Sequence, residues 1–247
     1  MRRARVLQSS VEEVDVHRSV LPLLSALALL ATCSSPSSAD PPGAHARHTP
    51  RPEDASPEAR ARMMRSGRYQ VATFAGGCFW CMEPPFDRTE GVVATISGYT
   101  GGPERNPTYE AVSNHRTGHA ESVQVWFDPR RVSYERLVDV YFHNIDPTTR
   151  DRQFPDYGHQ YRTAIFWHDD AQHRVAERKK RELDASRRFG APIVTEIVRA
   201  GPFYPAEEYH QNFYMKDPER YYSYRRASGR DEYIRRIWGT TSAPPAR

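Results

Sequence analysis

The fold class this sequence predicts, between about Gly67 and Gly239, is a single α+β domain. It is expected to be a ferredoxin-like plait, a split βαβ core, with extra decorating segments. Three observations lead there. Short alternating apolar runs recur at Tyr69–Ala75, Val92–Tyr99, Glu121–Phe127, Tyr161–Trp167 and Ile193–Val198, the period of half-buried strands. Helical patterns follow the first and third of these runs, so the leading order is β-α-β-β-α-β. The span is the size of one domain with a proper core, and it carries no internal repeat.

The 247-residue chain opens differently. Val20–Thr32 is a 13-residue apolar run preceded by Arg2, Arg3 and Arg18. It is too short for a bilayer span and suits the core of a secretory signal. Residues 1–39 are therefore expected to be a leader, and the protein to be exported to a periplasm or cell envelope. Glu12, Glu13 and Asp15 are unusual in such a leader and point to a start downstream of Met1. Two endings fit. Leu30-Ala31-Thr32-Cys33 approximates a lipoprotein box, which would make Cys33 a lipid anchor; Ser37-Ser38-Ala39 offers small residues for ordinary cleavage before Asp40. Residues 40–66, rich in Pro, Ala, Arg and His, read as a disordered linker. Residues 240–247 read as a polar tail, and no second domain is expected after Trp238.

Within the domain, the run Tyr69–Ala75 feeds Gly76-Gly77, where the backbone can turn sharply and leave room for a ligand. Cys78 then falls at the start of a helix reaching to about Glu90, where free N–H groups and the helix dipole favour a thiolate. Pro84 and Pro85 forbid a regular interior in that helix and mark a break or restart. The strand Val92–Tyr99 leads into the loop Thr100-Gly101-Gly102-Pro103, and Glu121–Phe127 sets Val123, Val125 and Phe127 on one side. Ser133 is the expected cap of a helix burying Leu137, Val138, Tyr141 and Phe142. Asp169–Gly190 reads as a long charged helix with acidic residues at its start and glycine at its end. Its basic cluster, Arg178 to Arg181 with Arg187 and Arg188, reads as a solvated face. With a net charge of only +4 and no binding motif, no nucleic-acid partner is expected.

There are three cysteines, and Cys33 belongs to the leader or its boundary, which leaves Cys78 and Cys81. A structural disulfide is the ordinary reading in an exported protein. A two-residue gap, however, closes a small ring that stabilises little and reduces easily, which favours a redox or catalytic role. Zinc is the next reading, because His115 and His119 follow. The 33 residues between Cys81 and His115 exceed twice the ~12–15 of a zinc finger, and no metal is expected. The alternative kept is an exported CxxC thiol–disulfide oxidoreductase, although Phe79-Trp80 is unlike the small or basic residues usual between such cysteines.

Gly76-Gly77-Cys78-Phe79-Trp80 with Glu83 resembles the active-site signature of the peptide methionine sulfoxide reductase A family. The resemblance continues through Gly98–Gly102, Asn106–Tyr109, Thr117–Glu121, Asp156–Arg162 and Ala206–Gln211, in the family's order, and covers essentially all of residues 67–239 as its catalytic domain. It implies reduction of the S epimer of methionine sulfoxide, free or in oxidised proteins, as repair under oxidative stress. Cys78 would attack the sulfoxide sulfur as thiolate, and Glu121, its pKa raised by burial, would protonate the oxygen. Tyr109 and Tyr161 would hold that oxygen. Phe79 and Trp80 would wall a pocket for the substrate methyl group, and Asp156 would orient the substrate. His119 and His210 are expected to make structural hydrogen bonds. No cofactor is implied; an external thioredoxin-type dithiol would be the reductant, and the enzyme a monomer.

The chain departs from the family at one point. Many members carry glycine at the position of Cys81 and resolve the sulfenic acid with a cysteine nearer the C-terminus. Here no cysteine follows Cys81, and Ser113 stands where some members have one. Cys81 is therefore the expected resolving residue, forming a disulfide with Cys78.

Overall fold

The structure is a computed structural model that describes residues 56–239. The leader, Cys33, nearly all of the linker and the tail lie outside the described residues. The last part of the expected linker is a helix, α1 (Pro57–Arg65). Ser56 caps it by accepting the Ala59 N–H, and proline occupies its first turn. Ala59 is buried, and Met63, one turn on, packs against Ala94, Ile96 and Trp126. That contact is what the sequence, with no sustained period there, did not announce.

The domain is mixed α and β. Strand β1 (Gln70–Gly76) lies inside a six-stranded sheet with β2 (Val92–Thr100), β3 (Ala120–Phe127), β6 (Thr163–Trp167), β7 (Glu196–Arg199) and β8 (Tyr204–Pro205). The spatial order is β7-β6-β1-β3-β2-β8, antiparallel throughout except for β6 with β7. All eight residues of β3 are buried, so both faces of the sheet are covered there. A separate hairpin pairs β4 (Arg152–Gln153) with β5 (Asp156–Tyr157).

Helices α2 (Phe79–Asp87), α4 (Tyr134–His143) and α5 (Asp170–Ala185) supply the main core with β1 and β3. Phe74 of β1 stacks on Phe86 of α2 and Tyr141 of α4, each with ring centroids 5.1 Å apart. Ser133 caps α4 through the Arg136 N–H, and Leu137, Val138, Tyr141 and Phe142 are fully buried, as their spacing predicts. The remaining elements are α3 (Tyr109–Ser113), α6 (Phe213–Lys216), α7 (Pro218–Ala227) and α8 (Arg230–Trp238).

Four local expectations are corrected. The helix after Cys78 runs unbroken through Pro84 and Pro85. Pro85 has no N–H for the Cys81 carbonyl, and Arg225 Nη1 from α7 donates to that oxygen instead, at 3.3 Å. Tyr161 is not in a strand but ends a 3-10 turn, His159–Tyr161, begun by Gly158 at φ 130. The last long strand starts at Glu196 because Ile193 and Val194 spend their N–H groups on Asp184 and Pro147. The basic cluster of α5, which ends at Ala185, is not simply solvated. Arg178 and Lys179 pair with Glu135 of α4, Lys179 also with Asp139, and Lys180 donates to the Thr195 carbonyl.

Candidate active site

The site forms where β1 runs out into α2. Gly77 sits at φ +80, and a Cβ there would lie 2.4 Å from Gln153 Cβ, so only glycine fits the turn. Cys78 is the N-cap of α2 and is 9% exposed. The Phe79 N–H, one residue on, donates to Glu121 Oε2 at 3.1 Å. Glu121 comes from β3, where it faces Tyr99 of β2. It is buried, and burial pushes its carboxyl up to about 8; the Phe79 N–H lowers it and Asp156 raises it further. At neutral pH this is a carboxylic acid beside a thiol.

The thiol itself departs from the sequence expectation. Burial pushes Cys78 well above its usual value, and the negative charges of Glu121, Cys81 and Asp156 act in the same direction. Only the Trp80 N–H pulls the other way. The helix start does not yield a resting thiolate because burial desolvates the sulfur and Glu121 occupies one of the helix's free N–H groups.

The other residues converge on this pair. Tyr109 begins α3, and burial with the charges of Glu121 and Cys78 pushes its phenol up to about 12. Tyr161 is raised by the same causes in the same order, with Asp156 adding. Both phenols therefore remain protonated donors. Asp156 of β5 accepts a hydrogen bond from Tyr224 Oη of α7, and burial raises its carboxyl. Trp80 is partly exposed and stacks on Phe213 of α6 with centroids 3.7 Å apart. Phe79 is 1% exposed and packs among Tyr99 and His210, so it belongs to the floor beneath the site and Trp80 to its wall.

Cys81, in the first turn of α2, is completely buried against Phe213 and Tyr221. Both thiols are free. His210 accepts the Trp80 Nε1–H on Nδ1 at 3.0 Å, and burial lowers it to about 4, so it is a neutral ring fixing Trp80. His119 spans the Gly102 N–H and the Glu104 carbonyl. Both histidines make the structural hydrogen bonds the sequence suggests. Among the described residues, no cluster of three or more His, Cys, Asp or Glu could hold a metal.

Several supporting residues escaped the sequence reading. Glu207 accepts the Tyr99 hydroxyl and the Tyr109 N–H, each at 2.8 Å, and so joins β2 to the start of α3. Glu83 is fully buried and accepts the Asn212 N–H. Tyr224, Arg225 and Arg230 reach the site from α7 and α8. Glu83 and Glu207 lie inside blocks that carry the resemblance, which was the available signal. The residues of α7 and α8 sit in polar, arginine-rich sequence with none.

Comparison with known proteins agrees with this geometry. The family model of peptide methionine sulfoxide reductase matches residues 70–242. The peptide methionine sulfoxide reductase MsrA of Bacillus licheniformis is 54% identical, over 69% of this chain and 94% of that protein. Its counterpart in Bacillus subtilis is 51% identical, over 70% and 98%. Among solved structures, reduced Mxr1 of Saccharomyces cerevisiae superposes with a TM-score of 0.59 at 34% identity, covering 62% of this chain and 88% of that one. Methionine sulfoxide reductase A of Corynebacterium diphtheriae gives 0.55 at 35%, covering 61% and 76%. The chain belongs to the peptide methionine sulfoxide reductase A family.

Proposed function

We propose that this peptide-methionine (S)-S-oxide reductase carries out its reaction with Cys78 as nucleophile and Glu121 as acid. The observation that carries this assignment is the Phe79 N–H to Glu121 bond, which fixes a protonated carboxyl one residue from the thiol. The Cys78 sulfur attacks the sulfoxide sulfur, and Glu121 gives its proton to the oxygen as negative charge builds there. The oxygen ends on Cys78 as sulfenic acid, methionine leaves, and the proton originally on the thiol replaces the one Glu121 donated. Tyr109 and Tyr161 donate to the oxygen, a role consistent with phenols held protonated. Trp80, backed by Phe79, takes the methyl group, and Asp156, held by Tyr224, orients the substrate.

In the second stage Cys81 attacks the Cys78 sulfenic acid. A sulfur–sulfur bond forms, the sulfur–oxygen bond breaks, and the oxygen leaves as water with the Cys81 proton. An external thioredoxin-type dithiol then reduces the disulfide. The placement of Cys78 at the N-cap and Cys81 in the first turn of the same helix supports this. Free methionine S-sulfoxide and oxidised proteins are both proposed substrates, and the enzyme is proposed to act as a monomer. The flanking of β3 by β1 and β2, with α2 between them in sequence, supports reading the sheet as a ferredoxin-like plait. Export, with lipid on Cys33 or cleavage before Asp40, rests on the apolar run Val20–Thr32.

The test is one turnover without reductant. Reduced protein beginning at Asp40 is mixed with L-methionine-S-sulfoxide, and intact mass and methionine are measured. Loss of two hydrogens with one methionine per protein is expected. Gain of one oxygen with the same methionine would keep Cys78 and remove Cys81 from the scheme. Neither methionine nor a mass change would overturn the assignment and return the CxxC to disulfide exchange, which insulin reduction would register.

A further inference from the structure

Two arginines that the chemistry above does not use reach the first turn of α2, one to the Cys81 carbonyl and one to the side chain of the next residue, Met82. Arg230 opens α8, and its side chain turns inward to 1% exposure. Its guanidinium donates to the carbonyl oxygens of Gly76 and Asn144 and to Met82 Sδ, and it lies 4.6 Å from the Phe154 ring centroid. No carboxylate among the described residues pairs with it, and its Nε has no hydrogen-bond partner. A buried cation held by carbonyl dipoles, a thioether and a ring is costly unless anions compensate it, and Asp156 is the carboxylate that feels its charge. Arg225 of α7 is the second arginine. It donates to the Cys81 carbonyl at 3.3 Å and to Tyr221 Oη at 3.4 Å, and is clamped by Asp231 at 2.7 Å.

We propose that Arg225 and Arg230 are positioning residues for the resolving half-reaction, forming a cationic cradle that stabilises Cys81 as thiolate when it attacks the Cys78 sulfenic acid. The proposal rests on Cys81 being the resolving residue. The thiolate is then a second anion near Arg230 beside Asp156, present only while the disulfide is being made. Charge balance follows: the proton leaving Cys81 departs with the hydroxyl of the sulfenic acid as water, and the cradle holds the negative charge between those events. Burial raises the Cys81 thiol; Arg230 and then Arg225 pull it down, while Asp156 and Asp231 push it up. Cys78, Tyr221 and Tyr224 are the other titratable groups within reach of it.

The experiment follows sulfenic acid and disulfide by quenched intact mass after one turnover, across pH, in the parent, Arg225→Met and Arg225→Lys. Losing one close opposite charge raises a pKa by ~1–3 units, partly offset by a more nucleophilic sulfur. Resolution in Arg225→Met should therefore slow by roughly three- to thirty-fold at neutral pH, its pH profile should move upward, and it should slow more than sulfoxide reduction does. Arg225→Lys should restore most of the rate. Asp231→Asn, at a side chain 40% exposed and so a gentler change, should move the profile downward. Resolution at the parent's rate in Arg225→Met would overturn the cradle, as would slowing with an unmoved pH profile, the mark of a merely structural role. An upward shift in Asp231→Asn would also overturn it. A parent that forms methionine but never a disulfide would instead overturn resolution by Cys81, and the cradle with it.

Discussion

Replacing Glu121 by Gln removes the proton-bearing carboxyl from beside Cys78 yet leaves an amide oxygen to accept the Phe79 N–H, so the loop should keep its shape. A positioned general acid is worth ~10²–10⁴-fold, and the first-turnover rate of methionine formation should fall by that much. The pH dependence carries more information. Burial holds the Glu121 carboxyl near about 8 and the Cys78 thiol higher still, so near pH 7 both carry protons. The reactive arrangement, acid beside thiolate, holds one proton between the two groups. Its population should rise about tenfold per pH unit up to about 8, then level until the second proton is lost. In Glu121→Gln one ionisation remains, that of the thiol, and it should lie lower than in the parent because Glu121's charge no longer opposes it. Rapid-quench measurement of methionine between about pH 6 and about pH 9.5 separates these cases. A parent rate that is flat to about pH 8 and falls above it would refute the reasoning, since the doubly protonated pair would then be the reactive one. A variant within about threefold of the parent at all pH values would remove Glu121 from the chemistry.

Other changes test other parts of the structure. Cys81→Ser should still yield one methionine per protein but stop at the sulfenic acid, seen as one added oxygen; thioredoxin-supported turnover at the parent's rate would count against resolution by Cys81. Gly77→Ala forces a φ of +80 on alanine and drives its Cβ against Gln153, so a loss of about 1–2 kcal/mol or more is expected in denaturant titration. A loss under about 0.5 kcal/mol would mean the loop yields easily. Asp87, bonded by Thr95 Oγ1 and Tyr214 Oη, is raised by burial to about 7. The folded carboxyl thus keeps its proton longer than the unfolded one. Its effect on stability is absent below about pH 4 and destabilising by increasing amounts as pH rises from about 4 to about 7. Asp87→Asn should flatten part of that slope and raise Tm at pH 8 relative to pH 5; parallel Tm curves for parent and variant would exclude it.

The strands and helices were legible wherever a local rule acted alone. Ser133 and its apolar stripe named α4, and the alternation of Val123, Val125 and Phe127 named β3. Expectations failed where a distant residue supplied what the local sequence lacked. Pro85 breaks a helix in isolation, but Arg225, 144 positions away along the chain by contact with Cys81, serves the carbonyl that Pro85 cannot. The cap position of Cys78 favours a thiolate until Glu121 claims the next N–H from another strand. The residues around the sulfur were found through ordered blocks of resemblance, whereas periodicity alone would have left Glu121 and Tyr109 as ordinary strand and rim residues. Arg230 lies in a stretch with five other arginines from Arg220 to Arg236, and nothing in that polar sequence marks the one that turns inward.

The inward reach of α7 and α8 has a consequence for the order in which the enzyme becomes whole during synthesis. The Gly76–Cys78 turn emerges from the ribosome early, but Tyr224, Arg225 and Arg230 emerge about 150 residues later, after every strand of the sheet. A nascent chain can therefore pair its sheet while its nucleophile still lacks its final neighbours. On the proposed scheme, full reactivity arrives with the last two helices, and a proteolytic nick in the exposed parts of that segment would separate Tyr224, Arg225 or Arg230 from the centre they contact.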